Sequence, residues 1–168
     1  MGTTSKPTDV LDAMLGHVRY EAVKAISFLR VGNSWCDGLP MPLVQFARES
    51  VLEAALVHFR CLIEFLGDQP KGSQVMARDY LSDWNWTISG GLVRVGEIHG
   101  RVAHLGVIRG AVEDEGSFEW SSWLDEHAPT VLWALRDFLR RLLSESPRRF
   151  ELVDRGDLLA ALDSLLRT

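Results

Sequence analysis

The 168-residue chain has 46% hydrophobic and 24% charged residues, a net charge of −5 and a mean hydropathy of +0.01. Such a composition suits one globular domain, long enough to bury a core without disulfide or metal staples, and it excludes disordered and collagen-like classes. The acidic balance argues against an unspecific nucleic-acid coat. Residues 1–168 therefore read as a single domain, with residues 1–7 expected to form a flexible tail.

The polar start, Met1-Gly2-Thr3-Thr4-Ser5-Lys6-Pro7, has no apolar signal-peptide core, and no uncharged stretch approaches the ~20 residues that span a bilayer. A cytoplasmic protein with no membrane partner is the expectation. Cys36 and Cys61 form no CxxC or Cys/His pattern, so free thiols are the simplest reading.

Helical periodicity runs through the chain and no segment alternates like a strand. The first predicted helix covers Thr8 to Arg30, with Val10, Met14, Val18, Ala22, Ala25, Ile26 and Leu29 recurring at helical spacing and Gly32-Asn33 beyond its end. After a loop with Gly32, Asn33, Gly38 and Pro40, a second helix runs from Pro42 to Leu66, its proline tolerated in the first turn. On this helix Glu49, Glu53, Arg60 and Glu64 share one narrow polar stripe, opposite Val51, Ala54, Ala55, Phe59, Leu62 and Phe65. The stripe is either a surface ion-pair row or the lining of a cleft. His58 sits on the apolar face, either as a core residue bonded to a neighbouring helix or as a site group.

A short helix is predicted from Ser73 to Trp84, then a break at Trp84 to Gly91. The fourth helix, Leu92 to Arg109, carries the densest polar chemistry. Glu97, Arg101 and His104 share one face with Arg94 close by, and His99 points elsewhere. Imidazoles can act as acid or base near neutral pH, and a guanidinium can hold a phosphate. These are the groups of a metal-independent ribonuclease. The chain lacks HExxH, Glu-x-x-His and Cys/His clusters, so metal or other cofactors are not expected, although His58, His99 and His104 leave a metal-dependent bundle enzyme as a distant alternative.

An acidic loop follows, Gly110 to Glu119, and then Trp120 and Trp123, expected to pack a loop onto the bundle. Pro129 is predicted to open a fifth helix reaching Leu143. It should bury Val131, Leu132, Ala134, Leu135, Phe138, Leu139 and Leu142, and expose Arg136, Asp137, Arg140 and Arg141. Residues Ser144 to Arg149 turn the chain into a final amphipathic helix ending at Leu166, beginning at Glu151 or Asp157. The fold class is thus all-α, a single bundle of five to six helices.

The stretch Arg94-Val95-Gly96-Glu97-Ile98-His99, with Arg101-Val102-Ala103-His104 after it, resembles the Arg/His signature of the HEPN superfamily of helical bundles. Val95 stands where that signature usually has a polar residue, and two residues separate Arg101 from His104. The Leu-Val-His-Phe-Arg-Cys-Leu-Ile-Glu-Phe-Leu run of the second helix looks similar to uncharacterised bacterial HEPN-like proteins, so the resemblance spans Pro42 to Arg109. It implies an endoribonuclease or toxin-type RNA-binding protein, with His104 or His99 as general base and Arg101 or Arg94 on the scissile phosphate. It further implies a homodimer with the two Arg/His helices facing each other, and an antitoxin or other protein partner. The alternative is a noncatalytic dimeric protein- or nucleotide-binding module, in which His58, Arg60, Glu53, Glu64 and Glu97 form a structural network.

Overall fold

The computed structural model describes residues 6–31, 40–67, 74–88 and 120–167, and they form five α-helices with no strand among them. Helix α1 covers Thr8–Val31 and α2 covers Met41–Leu66, each within a residue of the boundaries expected from periodicity. Pro40 and Pro42 flank the start of α2, where a missing N–H costs nothing because the first-turn donors have no helical partner. The predicted fourth helix, residues 92–109, lies outside the described residues, as does the acidic loop.

Three local expectations change. The segment expected to be helical up to Trp84 contains only a 3₁₀ turn, Ala77–Asp79. There the Asp79 carboxylate accepts from the Met76 backbone N–H at 2.8 Å, which closes a tight turn in place of a continuing α-helix. Helix α3 covers Trp120–Glu145, beginning nine residues ahead of Pro129, which lies inside it. Proline in a helix interior costs about 3 kcal/mol, and burial of Trp123, Leu124 and Ala128 ahead of it supplies the compensation. The last amphipathic stretch divides into α4, Pro147–Val153, and α5, Leu158–Leu165. Between them Gly156 has φ +96° and Asp157 φ +62°, left-handed values that end one helix before the next begins. The Leu159 N–H then donates to the Asp154 carboxylate at 2.8 Å.

The helices enclose one main core. Leu15, Val18, Ala22, Ala25 and Ile26 of α1 meet Ala55, Leu56, Phe59, Leu62, Ile63 and Leu66 of α2, spacings that place one stripe of each helix inward. Helix α3 adds Val131, Leu132, Leu135, Phe138, Leu139 and Leu142, with Ala134 beside them, as its periodicity requires. Helix α4 packs on both α1 and α3, and α5 docks mainly on α3 through Leu158 and Leu162, so its leucine stripe is used within the chain.

Phe138 is fully buried and meets Phe65, Tyr80 and Trp84 edge-on, at centroid distances of 5.2, 6.0 and 5.7 Å. Two polar handles fasten the 74–88 segment over this cluster. The Trp84 indole N–H donates to the Leu66 carbonyl at 2.7 Å, satisfying a terminal carbonyl of α2. The Tyr80 hydroxyl donates to the Leu11 carbonyl at 2.6 Å, and burial raises its pKa, with Arg149 opposing. Lys6 adds an ion pair to Asp79 at 2.6 Å.

Candidate functional site

Of the residues singled out from the sequence, Arg94, Glu97, His99, Arg101 and His104 lie outside the described residues. His58, Arg60, Glu53 and Glu64 are all placed by α2. Glu53 is exposed, whereas Arg60 and Glu64 form a half-buried i,i+4 pair at 3.2 Å.

His58 faces α1. Its Nδ1–H donates to the Glu21 carboxylate at 2.6 Å, and its ring stacks on Phe28 at 5.6 Å and meets Tyr20 edge-on at 5.7 Å. A carboxylate can only accept, so the proton on Nδ1 is set by Glu21. The ring is therefore held between two helices by one hydrogen bond and two aromatic faces. Glu21 also engages the Cys61 thiol, which is a free cysteine. Burial, reinforced by Glu21 and opposed by Arg60, pushes that thiol up to about 11, so it stays protonated and poorly nucleophilic at neutral pH. Beside this cluster a cleft of about 330 Å³ opens between α1, α2 and residues 74–75, with Met14, Val18, Leu62 and Phe65 as apolar wall and His17, Glu21, Cys61 and Glu64 as its polar groups. Among the described residues no group of three or more His, Cys, Asp and Glu could hold a metal ion.

A second cleft, about 470 Å³, was not legible as a site from the sequence. It lies where Thr130, Trp133, Ala134, Asp137 and Arg141 of α3 face Asp83, Trp84, Asn85 and Trp86. These α3 positions recur every three or four residues, so they share a face, and the small Ala134 leaves depth between larger neighbours. Trp84 and Ala134 are buried, Trp86 is partly exposed and Trp133 keeps 45% of its surface open. The Arg136 guanidinium covers the Trp133 ring at 3.5 Å and meets Asp163 of α5 at 3.6 Å, an acid that also holds Arg140 at 2.9 Å. Arg136 is thus not the freely exposed residue expected, and its buried Nε has no hydrogen-bond partner among the described residues. Arg141 binds Asp83 and, at 3.2 Å, Glu145, and its hydrogen bond is the main cause that lowers the Asp83 pKa. The signal available in the sequence was Trp133 and Arg136 at i, i+3. The Trp120/Trp123 pair drew attention instead, and Trp123 is buried as expected.

No helix among the described residues is long and apolar enough to cross a membrane. No family model, no curated protein and no solved structure matches the chain.

Proposed function

We propose that this chain is a noncatalytic, HEPN-like binding module, acting as a dimer, in which the polar residues of α2 are scaffold. The observation that carries this reading is the engagement of His58, with Glu21 on its Nδ1 and Phe28 and Tyr20 against its ring. A general base needs to reach a substrate proton; Glu21 leaves Nε2 as the basic nitrogen, but the ring is packed against Phe28 and Tyr20 and lines neither cleft described above. Arg60 is likewise held by Glu64, and the neighbouring thiol is kept protonated. Among the described residues, the surface best suited to recognition is the tryptophan-walled cleft beside α3, where indoles and arginines supply the groups most used at binding hot spots.

The test is incubation of the purified full chain with structured and single-stranded RNA in EDTA, alongside its mass by sedimentation. Intact RNA and a dimeric mass are the expected results. Cleavage that persists in EDTA and disappears in Arg101→Ala or His104→Ala, with the fold retained, would overturn the binding-only reading and assign chemistry to the Arg/His segment.

A further inference from the structure

The cleft beside α3 holds one formal charge that the fold does not use. Arg141 is engaged by Asp83 and Glu145, and Arg136 by the Trp133 ring and Asp163. Asp137, exposed in the same cleft, has no hydrogen bond or ion pair among the described residues. Trp86 and Trp133 line the same cleft, together with the buried Trp84 and Ala134.

Indole faces carry negative quadrupole charge and attract cations, and a free carboxylate adds formal charge of the same sign. The protein already uses this attraction, with Arg136 at 3.5 Å over Trp133 and Arg141 at 5.8 Å from Trp84. An anion entering here would meet Asp83 and Asp137, with Arg141 already held by Asp83 and Glu145 and with Arg136 over the Trp133 ring beside Asp163, its one unpartnered donor, Nε, being buried. An organic cation would find an unpaired counter-ion, the part of the Trp133 indole that Arg136 leaves exposed, and the partly exposed Trp86.

We infer that this cleft binds the protonated ammonium group of an alkylamine, with Asp137 as counter-ion and Trp86 and Trp133 as its aromatic walls. The alkyl stem lies against Ala134, as lysine stems do on apolar surfaces. The inference rests on the binding-module reading and gives it a ligand chemistry, shared by free amines and by lysine side chains of a partner.

The experiment is an NMR titration of the full ¹⁵N-labelled chain, following the indole N–H resonances at constant ionic strength. The probes are n-butylammonium, its uncharged counterpart 1-butanol, inorganic phosphate, and lysine blocked at both its α-amino and carboxyl groups. Saturable shifts of the Trp86 and Trp133 signals are expected with n-butylammonium, with about fivefold or greater preference over 1-butanol. Asp137→Asn, an exposed and nearly isosteric change, should weaken that binding about threefold. Equal response to butanol, saturable phosphate binding at the same signals, or indifference to Asp137→Asn overturns the proposal. Matching affinity for blocked lysine supports a side chain of a protein partner as the ligand, whereas its exclusion assigns the site to free amines. Failure to bind ammonium by a chain that leaves RNA intact overturns this inference alone. Ammonium binding by a chain that cleaves RNA overturns the binding-only reading alone.

Discussion

His58 on α2 and Glu21 on α1 are joined at 2.6 Å across the longest helix–helix contact of the described fold, with both side chains largely covered. Removing one partner leaves a half-buried polar group without its bond, a larger penalty than the net worth of the pair. His58→Ala is therefore expected to cost about 2 kcal/mol in urea unfolding. Glu21→Gln in the same background should cost less than it does alone, and the double-mutant cycle should return about 1 kcal/mol of coupling. Additive effects would show that the two groups are merely neighbours.

Cys61 gives a pH dependence with a definite sign. Its thiol is raised to about 11 in the fold from an ordinary value near 9.0, so the folded chain holds that proton more tightly than the unfolded chain. The stability it contributes is complete below about pH 9 and is lost as pH rises toward 11. Replacing Cys61 with alanine should flatten the alkaline limb of the stability profile in that window. In a Cys36→Ser background, iodoacetamide should label native Cys61 slowly at pH 8, and unfolding should accelerate the reaction. Rapid native labelling would contradict the burial and the influence of Glu21.

Phe138→Ala tests the aromatic cluster under residues 74–88. The side chain is fully buried and touches three aromatic rings, so truncation leaves a cavity that they cannot close without moving. A loss of about 3–5 kcal/mol is expected in denaturant unfolding. Near-ultraviolet circular dichroism should weaken as well, because Tyr80 and Trp84 lose a rigid neighbour.

Gly156→Ala tests the turn between α4 and α5. At φ +96° a Cβ atom is strained whatever space surrounds it, and Arg19 lies 3.6 Å from the position it would occupy. A cost of about 1–2 kcal/mol in thermal or urea unfolding is expected. A neutral result would mean that the turn relaxes to ordinary dihedral angles.

How much of this was readable beforehand varies with the physics behind each element. The first two helices declared themselves because their apolar residues recur on one stripe and glycine or proline marks their boundaries. The inward residues of α3 were legible for the same reason, from Val131 to Leu142. Its start was not, because Pro129 suggests a first turn while tertiary burial of Trp123 and Leu124 decides the matter. The Ala77–Asp79 turn was hidden because Asp79 bonds a local backbone group, a choice that periodicity cannot register. His58 stands out in the sequence as a polar residue on an apolar helix face, but its partner Glu21 lies 37 residues away on another helix. The tryptophan cleft required Trp84 and Trp86 to meet Trp133 across the fold, information that one helix face does not contain.

Helix α1 also imposes an order on the birth of the protein. Arg19 donates to the carbonyl of Arg155 at 2.7 Å, and Arg149 bonds Asp12 at 3.2 Å, partners separated by 136 and 137 positions. At about 5–20 residues per second, a ribosome needs roughly 7–30 s after making Arg19 to synthesise its partner. During that interval the Leu15, Ala22 and Ile26 stripe can rest against α2, but α4 and α5 do not yet exist to close around it. The nascent chain thus carries an incompletely covered apolar helix until α4 and α5 are made. Holding chaperones that recognise such surfaces should crosslink to it far more strongly on ribosome-stalled chains ending before Pro147 than on the released protein.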